Sequence, residues 1–222
     1  MRDSAPAVHF AIRYVHTRLL RKRKMDKNIL ICGVGGQGTV LASKLTASAA
    51  MLEGNTVHSA ETIGMAQRGG SVTSHIRIGD KAFSPLIPDG LADLIMAFEP
   101  AEAVRNLKYL KKGGTVIVNK KAVKPVTESL LDTGYDGSKM IAFLKDNNIK
   151  TYVLDADELC SSLGSVKFFN IALLGVAVAT GDLGLKKESL ENEIKTKVKE
   201  KFVQINLKAF ETGYKLGQEL CF

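Results

Sequence analysis

A chain of 222 residues, 45% of them apolar, is long enough for one full domain with a packed core. Its formal charge of +8 belongs to one end: residues 1–24 hold seven basic groups against the single acid Asp3, a net +6, which leaves +2 for the rest. With no basic stripe of interleaved aromatics and no Trp, nucleic acid is excluded as a partner; Ile171 to Ala179 is too short to cross a membrane; and Cys32, Cys160 and Cys221, far apart and without a C-x-x-C pair, form neither a disulfide framework nor a metal or iron–sulfur ligand set. Reduced thiols suit a cytoplasmic location.

The basic segment 1–24 has three readings: an Arg-rich, acid-poor transit peptide, a basic arm for anionic surfaces, or an extended start. The last is favoured, because Met25-Asp26-Lys27-Asn28-Ile29 reads as a natural opening to a first strand. The fold is then expected over residues 25–222 as a single domain.

The strand Asn28 to Gly33 runs into Gly33-Val34-Gly35-Gly36-Gln37-Gly38, and a helix follows over about 38–53. Glycine lacks Cβ, so such a turn can be tight and can aim backbone N–H groups at an anion. Leu41, Leu45, Ala49 and Leu52 make the helix's packing stripe, Gly54 caps it, and Thr56 to Ala60 is a second strand, together a parallel β-α-β unit. Glu61 to Gly70 reads as a polar, glycine-rich loop with one helical turn at most. Ser71 to Ile78 alternates as a strand, Gly79-Asp80 turns, and Lys81-Ala82-Phe83 returns as a short hairpin.

Leu94 to Phe98 is a buried strand, and Pro100 opens a helix to about Leu110, ended by Gly113-Gly114. Thr115 to Asn119 is another buried strand. Residues 120–136 are irregular, Ser138 to Asn147 is helical, and Lys150 to Leu154 is a strand. Asp155 caps a short helix through Leu163, Val166 to Ala179 is a helix apolar all round, and one long helix spans about 187–217. Short apolar strands separated by helices specify an α/β, Rossmann-like, three-layer domain with a mainly parallel sheet and a long C-terminal helix.

The glycine turn admits two readings, a nucleotide site and a ligand-free strand–helix turn. Glu61 lies about 20 residues on, near where a dinucleotide fold places the acid that holds the ribose. Gln37, at the helix start, can offer its amide to a ligand or a neighbouring chain. Glu61, Gln67, Arg68, Gly69 and Gly70 form a polar loop suited to an anion or a partner, through guanidinium and backbone donors. The plainer alternative is a surface loop in which Arg68 pairs with Glu61; function is favoured, because loops on rigid sheets carry it. His58 and His75 lack a third ligand and read as satisfied strand histidines. Ser59 and Ser71 lack a nucleophile elbow. Lys44 and Asn119 can each reach the crevice, and Asn119, ending a buried strand, is the better placed. Asn170 reads as a buried contact or an interface residue.

Gly33 to Gly38, followed by Ser59-Ala60-Glu61-Thr62, Gly64-Met65-Ala66-Gln67-Arg68-Gly69-Gly70-Ser71-Val72, His75-Ile76-Arg77-Ile78-Gly79, Ser84-Pro85-Leu86-Ile87 and Asn170 to Gly175, resembles the gamma-type domain of the 2-oxoacid:ferredoxin oxidoreductases, and within it the small (beta) subunits of the enzymes for indolepyruvate. The resemblance covers about 25–217; residues 1–24 depart from it. It implies an oxidative decarboxylation of a 2-oxoacid, an aryl pyruvate here, to an acyl-coenzyme A, with electrons passed to ferredoxin. It places thiamine diphosphate, Mg and the iron–sulfur clusters on a larger alpha subunit, with coenzyme A as co-substrate. No catalytic residue, metal or tightly bound cofactor is then expected on this chain. It is inactive alone and presents Gly35, Gly36, Gln37, Gly38, Glu61, Gln67, Arg68, Gly69, Gly70 and Asn119 to coenzyme A or the partner. An apolar docking face could drive self-association of the isolated chain. The alternatives are a gamma subunit for pyruvate, 2-oxoglutarate or 2-oxoisovalerate, a stand-alone NAD(P)- or flavin-dependent oxidoreductase, and a ligand-free interaction scaffold.

Overall fold

A computed structural model describes residues 25–63, 69–124 and 134–221. Six strands form one sheet: β1 (Lys27–Val34), β2 (Val57–Ile63), β3 (Ser71–Ile78), β4 (Ala92–Ala97), β5 (Leu110–Asn119) and β6 (Lys150–Leu154). Their order is β2-β3-β1-β4-β5-β6. β1, β4, β5 and β6 are parallel neighbours, and β3 alone runs antiparallel, between β1 and β2.

Both faces of the sheet are covered, which is why its central strands read as unbroken apolar runs. Ile29 and Ile31 of β1 look into one core with α1 (Thr39–Leu52), α5 (Phe169–Ala179), α6 (Lys187–Lys197) and α7 (Glu200–Glu219). Leu30 and Cys32 look into the other, with α2 (Pro100–Arg105) and α3 (Ser138–Asp146). The short α4 (Ala156–Leu159) follows β6 and is capped by Asp155, as expected. The result is the three-layer α/β domain read from the sequence, with a long C-terminal helix.

α5 is buried on nearly every side, and its closest contact is backbone on backbone with α7. A Cβ on Gly213 would stand 1.9 Å from the Ala172 carbonyl oxygen, and one on Gly175 would stand 2.2 Å from that of Phe210. Only glycine lets the two helices approach so closely.

Several sequence expectations are corrected. The unit β1-α1-β2 is not a pair of neighbouring parallel strands, because β3 occupies the place beside β1. β2 continues through Glu61 to Ile63, so Glu61 is inside a strand, opposite Ser74, and not past its end. Residues 64–68 lie outside the described residues. The predicted hairpin at Lys81 to Phe83 is instead an irregular loop. Arg77 fixes it by donating to the carbonyls of Ser84 (3.0 Å) and Leu86 (3.4 Å), and His75 Nδ1 accepts from the Ile87 N–H (3.2 Å).

α2 stops at Arg105, a 3₁₀ turn takes Leu107–Tyr109, and Gly113-Gly114 lie within β5. The single helix over 187–217 is two, because Val198 and Lys199 are extended. Lys195, Lys197, Lys199 and Lys201 would stack like charges at i,i+4 in a continuous helix, which disfavours it there.

Candidate functional site

The four parallel strands end on one edge, where open α/β sheets place their ligands. Three chain segments meet there: the glycine turn after β1, Phe98-Glu99 after β4, and Asn119 to Val123 after β5. They enclose a recess of about 230 Å³ with Phe169 at the start of α5 and Val166 and Lys167 just before it. Of the predicted site residues, Gly36, Gln37 and Asn119 line this recess together.

The Phe98 carbonyl oxygen is its hub. It accepts from Gln37 Nε2 (3.1 Å) and from Asn119 Nδ2 (3.3 Å), while Phe98 N–H donates to the Cys32 carbonyl (2.8 Å). Gln37 Oε1 in turn accepts from the Val34 N–H (2.8 Å). Both ends of the Gln37 amide therefore brace the turn against β4. Asn119 is equally engaged: its Oδ1 accepts from the backbone N–H of Lys121 (3.3 Å) and of Ala156 (3.2 Å), tying β5 to α4. A buried polar side chain so satisfied organises a site more than it contacts a ligand.

Gly36 (φ +98°) and Gly38 (φ +82°) give the turn its left-handed backbone, and they differ in surroundings. A Cβ on Gly36 would meet nothing within 4 Å, whereas one on Gly38 would lie 2.4 Å from Asn170 Nδ2. Asn170 is thus a buried contact to the turn, donating to the Gly38 carbonyl (3.4 Å). The Gly35 N–H donates to the Gly70 carbonyl (2.9 Å), so the entry to β3 uses one donor of the turn and Gly69-Gly70 border it. Gln67 and Arg68 lie outside the described residues. Glu61 lines a separate groove, beside α1. With β3 between β1 and β2, Glu61 is two strand spacings, about 10 Å, from β1, too far to serve as the ribose acid of a dinucleotide turn.

The recess wall is apolar (Phe98, Val123, Val166, Phe169) with two lysines at the rim. Lys121 pairs with Asp157 (2.7 Å). Lys167 is exposed and makes no ion pair among the described residues. Behind the wall, two buried carboxylates knit the segments. Glu99 caps α2 by accepting from the Glu102 N–H (3.0 Å), and also accepts from the Val123 N–H (3.5 Å) and the Tyr135 hydroxyl. Glu102 accepts from Ser71 Oγ (2.7 Å) and pairs with Arg105.

Burial, reinforced by Glu102 and Glu99, pushes the Cys32 thiol well above its ordinary value, so it is no nucleophile at neutral pH. Burial and the hydrogen bond to Glu99 raise Tyr135 likewise. Lys120 holds the Asp155 carboxyl below the usual carboxylate range. His75 is buried, stacked edge-on against Tyr109, and satisfied, the plain strand histidine the sequence suggested. Cys32 and Cys160 are buried, Cys221 is exposed, and among the described residues no group of three His, Cys, Asp or Glu could hold a metal ion.

Sequence reasoning missed Phe98, Phe169, Lys121, Val123 and Lys167. Phe98 and Lys121 carried a usable signal, since Phe98 directly follows one buried strand on the crevice edge and Lys121 lies two residues past the end of another. Lys167 and Phe169 carried none, because only the tertiary fold brings the start of α5 beside the turn.

Residues 28–216 match the family described as pyruvate ferredoxin/flavodoxin oxidoreductase. Indolepyruvate oxidoreductase subunit IorB of Pyrococcus horikoshii is 38% identical over 197 residues, covering 88% of this chain and 98% of that protein. Subunit IorB of Archaeoglobus fulgidus is 40% identical over 191 residues, covering 86% and 94%. The solved gamma subunit of a keto/oxoacid ferredoxin oxidoreductase from Geobacter sulfurreducens superposes with a TM-score of 0.64 at 25% identity, over 87% of this chain and 99% of that one.

Proposed function

Because this chain belongs to the pyruvate ferredoxin/flavodoxin oxidoreductase family, we propose that it is the small subunit of an indolepyruvate-type 2-oxoacid:ferredoxin oxidoreductase. Its larger partner subunit would carry thiamine diphosphate, Mg and the iron–sulfur clusters, and the complex would convert an aryl pyruvate to its acyl-coenzyme A and reduce ferredoxin. Identity of 38–40% to IorB subunits along nearly their whole length supports the substrate class. The donor set of this chain does not fit a cluster: two of its three cysteines are in the core, and the third is exposed and alone. No step of the reaction is therefore assigned to its thiols. The working domain is residues 25–222, with 1–24 as an extension to it.

The recess beside the glycine turn carries the reading. At about 230 Å³ it is smaller than the pockets that enclose whole ligands, so it suits one end of an elongated one. A stand-alone dinucleotide enzyme is disfavoured because Glu61 is displaced by β3 and the Gly35 donor is occupied. The chain's part is to bind and orient. Gly35 to Gly38 form an open platform edge, Lys167 and Arg68 supply positive charge for the anionic end of coenzyme A, and the wall of Phe98 and Phe169 excludes water. Gln37 and Asn119 hold that platform in shape.

The test is co-expression with a large subunit of an indolepyruvate oxidoreductase and a coenzyme A-dependent indolepyruvate assay with ferredoxin as acceptor. Arg68→Ala and Lys167→Ala are expected to raise the KM for coenzyme A with little change in kcat. Unchanged KM and unchanged assembly in both variants would remove the coenzyme A role. Thermal shift of the isolated chain with NAD, FAD and coenzyme A separates the enzyme alternative, since a ligand at about 100 Kd stabilises by about 2.7 kcal/mol.

A further inference from the structure

Among the described residues, one edge of the sheet is uncovered. β2 pairs with β3 from Val57 to Ile63 without a bulge, and no strand among the described residues pairs with its other side. Open edges are ordinarily blunted by lysine, proline, a bulge or brevity. β2 has none of these in its seven residues, Val57-His58-Ser59-Ala60-Glu61-Thr62-Ile63. The opposite edge, β6, is only five residues long and begins with Lys150.

Beside β2 runs an open groove of about 700 Å³. Its helical wall is Leu41, Lys44, Ser48 and Met51, one face of α1 at three-to-four spacing, and Met51 is 55% exposed. Glu61 lines it from the strand and Lys197 from the end of α6. All three charged groups are exposed, and none makes an ion pair among the described residues.

We propose that a second copy of this chain occupies this edge, β2 pairing antiparallel with the partner's β2 about a two-fold axis through Ala60. Neighbouring pairs of an antiparallel ladder alternate in kind, so a two-fold axis must pass through a residue that faces itself. Ala60 is the midpoint of β2, and that register pairs all seven residues. It sets Ser59 opposite the partner's Glu61, on the α1 side, and opposes no like charges. A register centred on Glu61 would set two carboxylates face to face. The partner's Glu61 then enters a groove that carries Lys44 and Lys197, and the exchange is reciprocal, as an isologous interface requires. The groove holds both the acid and its counter-charges, and this self-complementarity selects a second copy over an unlike partner. The inference stands independently of the coenzyme A reading.

Light scattering coupled to size exclusion, over a concentration series of the full chain, tests it. The wild type is expected to dimerise. Glu61→Lys should raise the dimer Kd about tenfold or more, and the charge-swapped Lys44→Glu/Glu61→Lys pair should recover most of that loss. Met51→Glu, at an exposed helix position, should weaken the dimer from the other wall and serves if Glu61→Lys does not fold. A chain that stays monomeric throughout, a Glu61→Lys Kd equal to wild type, or no recovery in the swap overturns the proposal. So does a monomer whose Glu61→Lys variant loses capture of the larger subunit, which would give the edge to that partner.

Discussion

Gly38→Ala isolates how the glycine turn is built. Gly38 sits at φ +82° as the N-cap of α1, and alanine in left-handed backbone costs about 1–2 kcal/mol. The new methyl would also stand 2.4 Å from Asn170 Nδ2, and Asn170 is buried, so its amide must be displaced from the Gly38 carbonyl. Overpacking of that kind adds about 1–3 kcal/mol, for a total of about 2–5 kcal/mol. Gly36→Ala is the control: its φ of +98° exacts the backbone cost, but the methyl meets nothing within 4 Å, so about 1–2 kcal/mol is expected. Urea unfolding followed by circular dichroism measures both, with equal m-values as the check that only stability changed. In an Asn170→Ala background the Gly38→Ala penalty should fall to that of Gly36→Ala, a coupling of about 1–3 kcal/mol. Equal penalties at the two glycines, or a Gly38→Ala cost untouched by Asn170→Ala, would refute the steric argument.

Three further outcomes are expected. Gly213→Ala drives a methyl into the Ala172 carbonyl and should cost more than about 3 kcal/mol, seen as loss of the cooperative unfolding transition or a steep fall in Tm. Tyr135→Phe leaves the Ala101 N–H, which donates to the Tyr135 hydroxyl at 3.1 Å, without that acceptor and removes a donor to Glu99; denaturant titration should show a loss of about 1–3 kcal/mol. Burial, with Lys108 adding to it, lowers the pKa of His75 in the folded chain. The unfolded state then binds more protons below its value of about 6.5, so stability falls as pH drops through that value towards the lower folded pKa. Replacing His75 with Gln should flatten this slope in Tm measured from pH 8 to pH 5.

The central strands were legible because burial on both faces forces continuous apolar runs, and the turn was legible because its glycines meet a steric need. Strand order was not, since pairing is a tertiary choice that local pattern does not encode. A clue was nonetheless present. The seven residues between β2 and β3 are too few for a parallel crossover, which needs a dozen or more, so β3 had to reverse against β2. Asn119 was found because it ends a buried strand at the functional edge. Phe169 and Lys167 were not, because nothing local connects the start of α5 to a turn more than a hundred residues earlier. The break at Val198 was hidden by an apolar stripe that keeps its spacing across the bend.

The two sides of the recess are built from materials of different stiffness. Phe169 and Asn170 belong to a helix whose backbone lies directly on that of α7, with no side chain between them to act as a cushion. Such a contact can neither slide nor twist without collision, so that side behaves as an anvil. On the other side, among the described residues, the Val123 N–H is held by the Glu99 carboxylate through a hydrogen bond of 3.5 Å. A docking neighbour can press on that contact and leave the anvil unmoved. An incoming molecule therefore meets one wall set by direct backbone contact and another held through a longer side-chain hydrogen bond.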